Sequence, residues 1–176
     1  VEGPVGKKSQ QTQIDLEDVD FEKTVELYFG NDGYSGKLSG HTELAGPSGS
    51  DVWRQWTGKG KLEVEDGKFP GLGNFAKAIN APVAWMGDLG EGASMEFELE
   101  KGKLDVKRLK IFSKLVETTG HGIYDISGDR LEKFSMKQNL IGPMGLPFMP
   151  VSEMLEVEGR GSLKSPVWTP KNFDDK

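Results

Sequence analysis

Few residues in this sequence could do chemistry, and the histidines are the first of them. His41 and His121 are the only two, and cysteine is absent. Each histidine lies among Gly, Ser and Thr, with no second ligand at metal-binding spacing. We therefore interpret each as a solvated strand residue rather than a metal ligand or a general base. The absence of cysteine excludes disulfides, thiolate metal sites and cysteine nucleophiles.

Three glutamates are the second candidate for chemistry. Glu96, Glu98 and Glu100 are spaced two residues apart in SMEFELE (residues 94–100). Paired carboxylates can act in acid–base catalysis or bind a cation. Here they alternate with apolar residues, which is typical of the solvent-exposed face of a β-strand. We therefore interpret all three as surface residues.

Two further motifs resemble catalytic or cofactor-binding sequences. GLGNFA (residues 71–76) lacks the full GxGxxG fingerprint and the preceding strand that dinucleotide binding requires, so it is interpreted as the start of a helix. In GPSGSD (residues 46–51), Ser48 and Ser50 have no histidine placed to activate them. We predict a protein that is not an enzyme and that holds no cofactor and no metal.

Composition narrows the remaining classes of function. The chain has 176 residues and a net charge of −6, and each of its basic clusters contains interspersed acids. Nucleic-acid binding requires a basic face and is therefore not expected. No apolar run approaches the roughly 18 residues that span a membrane. We predict a flexible leader at residues 1–11, a single β domain at residues 12–170 and a tail at residues 171–176.

Alternation of apolar and polar residues dominates the sequence and predicts a mainly β fold. We expect about eight to ten antiparallel strands of roughly 5–8 residues, with tight turns at residues 66–67, 101–102 and 128–129. In KLDVKRLKIF (residues 103–112) the apolar positions change parity, which predicts a β-bulge near Lys107 and Arg108. Short helices are predicted at residues 21–29, with Asp20 as N-cap, and at residues 50–56 and 72–80.

A Gly-x-Gly motif opens three of the alternating segments. They are GKGKLEV (residues 58–64), GHGIYDI (120–126) and GRGSLKS (159–165). In each segment the glycines share the parity of the apolar residues that follow, so they lie on the apolar face. Two interpretations stay open: the glycines permit bulges, twist or close packing, or they widen the apolar face into a groove. Both interpretations require a strongly curved sheet.

The apolar face of such a sheet must be covered, and the predicted helices are a small cover for so many strands. The fold class is therefore mainly β, a strongly curved antiparallel sheet with two or three short helices. The sheet would form a groove, a sandwich or a partly open barrel, and in the first case the groove would accept an apolar guest. The residues predicted to line it are Leu62, Val64, Met95, Phe97, Leu99, Leu104, Val106, Tyr124, Ile126, Phe134 and Met136.

Four segments follow one another in an order that is more specific than any one of them. They are residues 15–46 with SGKLSGHTEL, residues 50–71 with GKGKLEVEDGKFPG, residues 95–127 with KGKLDVKRLKIF and GHGIYDIS, and LEVEGRGSLKSPVWTP at residues 155–170. In order and spacing they resemble the C-terminal region of AsmA-like proteins. The resemblance covers about residues 14–170, although residues 142–152 are richer in Pro and Met than that pattern.

The resemblance implies a fold and a function. AsmA-like proteins are large proteins of the Gram-negative envelope, anchored in the inner membrane and crossing the periplasm, and their curved sheet forms a lipid-lined groove. The implied function is phospholipid transport towards the outer membrane and outer-membrane assembly. The implied partners are phospholipid acyl chains and envelope membrane proteins. The family's membrane anchor is expected outside this chain.

Two apolar segments containing proline are predicted to contact a membrane or a partner. Trp85 and Met86 lie in APVAWMGDLG (residues 81–90), and Phe148 and Met149 lie in GPMGLPFMP (residues 142–150). Burial in the core is the alternative for the tryptophan. Two other functions stay open: a packed structural domain that docks a partner or caps a longer β structure, and a glycan-binding sandwich that uses exposed tryptophans.

Overall fold

The computed structural model describes residues 9–29, 33–48, 53–69, 91–113, 116–140, 156–162 and 165–171. These residues form nine strands, one α-helix and one short 3₁₀ helix. The helices are α1 (Phe21–Phe29) and the 3₁₀ helix Trp53–Gln55. The strands are β1 (Ser9–Asp20), β2 (Ser35–Pro47), β3 (Thr57–Lys68), β4 (Gly92–Glu100), β5 (Lys103–Phe112), β6 (Val116–Asp125), β7 (Arg130–Leu140), β8 (Glu156–Ser162) and β9 (Ser165–Pro170).

The strands form one antiparallel sheet in which every strand pairs with its neighbour in sequence. The order is β1 to β9 without a crossover, so β1 and β9 are the two edges of an open sheet. This confirms the prediction of a mainly β, antiparallel fold with few helices. Because the described residues form a single open sheet, they make neither a two-sheet sandwich nor a closed barrel.

Strand lengths differ from the prediction. The strands run to 13 residues in β2 rather than about 8, because pairing continues through positions where the sequence pattern is interrupted. β1 begins at Ser9, so residues 9–11, predicted to belong to the leader, are part of the sheet.

The helix predictions have three different outcomes. The helix α1 is confirmed, and the backbone N–H of Lys23 donates to Oδ1 of Asp20 at 3.2 Å, as expected for an N-cap. Where residues 50–56 were predicted to be helical, the described structure contains only the 3₁₀ helix Trp53–Gln55. Three residues are too few to complete one α-helical turn of 3.6 residues. The helix predicted at residues 72–80 lies outside the described residues.

Two of the predicted turns are confirmed and the third is wrong. Lys101 and Gly102 connect β4 to β5 with φ of 52° and 75°, as a two-residue type I′ turn requires. Gly128 and Asp129 lie in the turn between β6 and β7. Residues 66–67, in contrast, lie inside β3, where the pairing register with β2 shifts. Asp66 has a φ of 51°, so the Asp-Gly pair forms a β-bulge rather than a chain reversal.

Bulges recur across the sheet and account for its curvature. The predicted bulge in β5 is confirmed: Glu96 pairs with Arg108 but Phe97 pairs with Val106, which leaves Lys107 as the extra residue. Further register shifts occur in β1 near Asp18 and in β7 near Lys133, both with positive φ. Each bulge bends its strand and increases the local twist, so a sheet with four of them curves strongly.

The hydrophobic core is one connected cluster along the apolar face of the sheet. Its buried members are Leu38, Val64, Phe69, Val106, Leu131, Phe134, Met136 and Val157. At one end of the sheet α1 contributes to it, since the ring of Phe21 packs against the rings of Tyr34 and Phe69 at centroid distances of 6.1 and 5.9 Å. Among the described residues, no helix is long and apolar enough to cross a membrane.

Candidate functional site: the apolar face of the sheet

The strand register aligns the predicted lining residues into rows that run across the sheet. We name three of these rows, each by residues that are direct partners or neighbours across the strands. Row 1 is Leu16, Gly40, Leu62, Met95, Leu109, Gly120, Met136 and Val157. Row 2 is Ile14, Thr42, Gly60, Phe97, Val106, Gly122, Phe134, Gly159 and Trp168. Row 3 is Thr12, Leu44, Gly58, Leu99, Leu104, Tyr124, Leu131 and Gly161.

The structure thus brings nearly all of the predicted lining residues together on one face. Val64 lies on the same face, one row closer to α1. The exception is Ile126, which follows the end of β6 and belongs to the turn to β7. Its backbone N–H donates to the carbonyl oxygen of Gly102 at 3.0 Å, so it ties two neighbouring hairpin turns together.

Burial along this face is uneven. Val106, Phe134, Met136 and Val157 are buried, and they lie in β5, β7 and β8. The predicted residues on β3 and β4 beyond Val64 are only half-buried; they are Leu62, Met95, Phe97 and Leu99. Leu104 in β5 and Tyr124 in β6 are half-buried as well. The apolar face therefore has a packed half on β7 and β8 and an accessible half on β3 and β4, and β5 and β6 form the boundary between them.

Two glycines of the repeated motif, Gly60 and Gly159, lie beneath aromatic rings from the neighbouring strand. A Cβ atom on Gly60 would lie 2.5 Å from Cζ of Phe97, its direct partner in β4. A Cβ atom on Gly159 would overlap the indole of Trp168, its partner in β9. At these two positions the missing side chain therefore makes room for a ring across the ladder, and that ring occupies part of the space that the groove interpretation left empty.

Gly122 supports the first of the two glycine interpretations. Its φ is 148°, and a Cβ atom there would lie 2.5 Å from the backbone Cα of Phe134. This contact is at the bulge of β7, where two backbones approach closely. Gly122 thus permits a bulge and close packing.

Two polar side chains interrupt the apolar face at the end nearer α1. Thr118 and Gln138 are buried, and Nε2 of Gln138 donates to Oγ1 of Thr118 at 3.4 Å. The amide oxygen of Gln138 has no hydrogen-bond partner within the described part of the chain. An unpaired buried acceptor destabilises a fold, so this position is a polar weak point in the apolar face.

The opposite face of the sheet carries cross-strand ion pairs. Nζ of Lys107, the extra residue of the β5 bulge, contacts Asp105 at 2.6 Å and Glu98 at 2.9 Å. The hydrogen bond with Asp105 is the main cause that raises the pKa of Lys107. Glu98 and the two neighbouring glutamates of SMEFELE are exposed, which confirms their assignment to the solvent-exposed face. Such exposed pairs contribute little to stability but keep this face charged.

His41 lies on the charged face between two acidic residues. Its Nδ1 is 2.6 Å from Asp15 and its Nε2 is 3.4 Å from Glu43. Hydrogen bonding, first to Asp15 and then to Glu43, raises the pKa of His41 and lowers that of both carboxylates. His121 is exposed on β6. The described residues contain no group of three or more His, Cys, Asp or Glu that could hold a metal ion.

A depression of about 890 Å³ is formed by four strands at the end of the sheet opposite α1. It is lined by Gln11, Thr12, Gln13, Glu43, Leu44, Ala45, Thr57, Gly58, Lys59, Glu98, Leu99 and Glu100. Most of these residues belong to two rows of the charged face, and the others are the row 3 residues between them. The depression is therefore not the predicted apolar groove. Sequence reasoning missed it because it depends on the register of four strands.

The proposed membrane or partner contacts Trp85, Met86, Phe148 and Met149 lie outside the described residues. The strands that flank their segments are described. β3 and β7 both end, and β4 and β8 both begin, at the end of the sheet where α1 lies. The backbone N–H of Gly67 donates to the carbonyl oxygen of Glu91 at 2.9 Å, which joins the two sides of the first connection at that end.

Comparisons of the chain with protein-family models, with curated proteins and with solved structures gave no significant match.

Proposed function

We propose that this domain is the C-terminal module of an AsmA-like protein anchored in the inner membrane of a Gram-negative envelope. In this proposal it takes part in phospholipid transport across the periplasm and in outer-membrane assembly by holding acyl chains against its apolar face. The observation that carries the proposal is the accessible half of that face. Leu62, Met95, Phe97 and Leu99 are adjacent across β3 and β4 and only half-buried.

An accessible apolar surface of this kind favours an apolar guest. Each CH₂ group that leaves water contributes about 0.8 kcal/mol, so an acyl chain gains free energy from the first few methylenes that contact the sheet. The sheet is open, which supports the same proposal, because an acyl chain can reach the apolar face from the side without any unfolding of the sheet.

The dimensions of the strands also support the proposal. From Gly58 to Val64 the face of β3 extends roughly 20 Å at about 3.4 Å per residue. An acyl chain occupies half of a bilayer core that is about 30 Å thick, or roughly 15 Å. One acyl chain can therefore lie along one strand without extending beyond it. This role needs apolar contact and no catalytic group.

A photocrosslinking pair tests the proposal. We would place p-benzoylphenylalanine at Leu99 in one variant and at Glu98 in the other, because these neighbours lie on opposite faces of β4. Each variant is irradiated with vesicles of phosphatidylethanolamine and phosphatidylglycerol, and bound lipid is detected by mass spectrometry. We expect crosslinked phospholipid from position 99 and little from position 98.

Equal labelling at the two positions, or no lipid at either, would contradict the proposal. A second readout is needed because an added aromatic group can itself attract lipid. Leu62→Glu places a carboxylate in row 1 next to Met95, and we expect it to reduce lipid recovered with the purified protein. Glu63→Gln, on the charged face, is its control. Loss of lipid in both variants would also count against the apolar face as the binding surface.

A further inference from the structure

The two edges of the sheet differ in their ability to accept another strand. In an antiparallel ladder, alternate residues direct their backbone N–H and C=O groups to opposite sides of the strand. The two-residue turn after Glu100 makes Glu100 and Lys103 a hydrogen-bonded pair, and the register carries this alternation from strand to strand. The groups that point outward at each edge can therefore be assigned.

At the β1 edge, every outward-facing residue has both a backbone N–H and a backbone C=O group. Gln10, Thr12, Ile14 and Leu16 are bonded to β2, so Ser9, Gln11, Gln13 and Asp15 direct theirs away from the sheet. These four residues are exposed and none is proline. Within the described part of the chain, β1 has a partner strand on one side only.

At the β9 edge, most of the outward-facing positions have no backbone N–H group. Ser165, Val167 and Thr169 are bonded to β8, so Pro166, Trp168 and Pro170 face outward. Proline has no N–H, so only one donor remains among the three positions. Proline at outward positions of an edge strand is a known protection against unwanted strand pairing. β9 is thus blocked, whereas β1 is not.

The chemistry of β1 also selects what can pair with it. β1 contains Asp15, Glu17, Asp18 and Asp20 and no Lys or Arg. Two copies of β1 paired in parallel and in register would place carboxylates opposite one another, which is unfavourable. In antiparallel pairing along Ser9–Leu16, each Asp15 would face the uncharged half of the other copy and gain no charge contact. Pairing of β1 with β9 of a second copy meets the prolines. None of these self-associations has the charge complementarity that a basic partner would supply.

The apolar face of β1 is also exposed at this edge. Ile14 begins row 2 and is 39% exposed, although its neighbours further along the row, Val106 and Phe134, are buried. An added strand with an apolar residue beside Ile14 would extend that row and cover it. The regular edge runs from Ser9 to Leu16 and ends at the bulge near Asp18, so it has room for about eight residues.

We propose that β1 binds an extended segment of a partner protein by strand addition. The segment is amphipathic: its apolar residues continue the rows at Ile14 and Leu16, and its Lys or Arg residues lie over Asp15 and next to Glu17, where the regular edge ends. Main-chain hydrogen bonds to β1 supply the affinity, and alternation of apolar and basic residues supplies the specificity. This inference does not depend on lipid binding.

The test measures the binding of a defined peptide to β1 and the amide exchange of the outward-facing N–H groups of β1. The probe is N-acetylated, C-amidated KVKIRVKV, and its controls are EVEIEVEV and the scrambled KKVVRKIV with the same ends. We expect KVKIRVKV to bind most tightly and to slow amide exchange at Gln11 and Gln13 on the order of tenfold, as one added hydrogen bond would. Exchange at Trp168 on the opposite edge should not change.

Gln13→Pro removes the central outward-facing N–H, and Gln13→Ala changes the same side chain but keeps it. We expect the proline variant to lose binding of KVKIRVKV and the alanine variant to retain it. Should the proline variant fail to fold, the double variant Gln13→Lys/Glu17→Lys tests the charge rule: it should prefer EVEIEVEV over KVKIRVKV. Equal binding of the three peptides, protection at β9 instead of β1, or an unchanged preference in the double variant would overturn the proposal.

Discussion

Two halves of one apolar face are built from the same kinds of residue but are packed differently. In β7 and β8, Phe134, Met136 and Val157 are 7%, 5% and 0% exposed. In β3 and β4, Leu62 lies in row 1 with Met136 and Val157, and Phe97 lies in row 2 with Phe134, yet both are only half-buried. The pattern of apolar residues therefore determines which face is apolar, but it does not determine which part of that face is filled.

Packing of a ring over a glycine occurs in both halves, since the ring of Phe97 covers Gly60 in the accessible half. Around β6 to β9, the side chain of Phe134 lies against Gly122 and the ring of Trp168 against Gly159. On β3, the residue nearest α1, Val64, is buried together with Phe69, whereas Leu62 and the row 3 residues lie further from that end. We infer that the packed half contributes more to the stability of the fold than the accessible half does.

The largest expected effect is a difference in stability between Phe134→Ala and Leu99→Ala. Truncation of a buried phenylalanine costs about 3–5 kcal/mol. Truncation of the half-buried leucine should cost about 1 kcal/mol, because only part of its transfer free energy is lost and no closed cavity forms. Urea unfolding of both variants measures the free energies of unfolding. Equal losses would mean that the two halves are packed alike.

A smaller difference is expected between two glycines of row 2. Gly122→Ala introduces a Cβ against the backbone of Phe134 at a φ of 148°. Neither the backbone contact nor the φ angle can relax easily. Strain of this kind costs about 1–3 kcal/mol. Gly60→Ala meets the tip of the Phe97 ring and Oγ1 of Thr42, and we expect the half-buried ring to move aside. Thermal unfolding compares them, and a greater loss for Gly60→Ala would reverse the comparison.

The sequence alone predicts which residues of each strand lie on the apolar face. It predicts only some of the positions where a bulge or a turn interrupts the alternation. The parity change in KLDVKRLKIF identified the bulge at Lys107, because alternation resumes on the same face of the sheet after it. The prediction of a turn at Asp66 and Gly67 is wrong, because an Asp-Gly pair is common in hairpin turns. Only the pairing of this segment with β2 shows that the pair forms a bulge.

Other features depend on contacts between residues far apart in sequence. The burial of Met136 depends on its neighbours Gly120 and Val157, which lie 16 and 21 residues away. The edge position of β1 depends on the order of all nine strands. Alternation within a segment carries neither kind of information, so the accessible half and the open edge became evident only from the assembled sheet.

The last prediction concerns water access at the boundary between the two halves, where Tyr124 is half-buried. Tyr124 lies in row 3 between Leu104 and Leu131, and its hydroxyl donates to Oδ1 of Asp129 at 2.9 Å. Burial, and then the hydrogen bond to Asp129, raises the pKa of Tyr124 from 10.0 to about 12. The neutral phenol is therefore favoured in the fold, and the stability it contributes is complete below pH 10 and lost as the pH rises towards 12. The difference in phenolate absorbance between the wild type and Tyr124→Phe measures this pKa, and the variant should show a flatter decline in stability above pH 10. Ionisation of Tyr124 near its ordinary pKa would mean that water reaches this boundary as readily as β3 and β4, and the packed half would then begin only at Leu131.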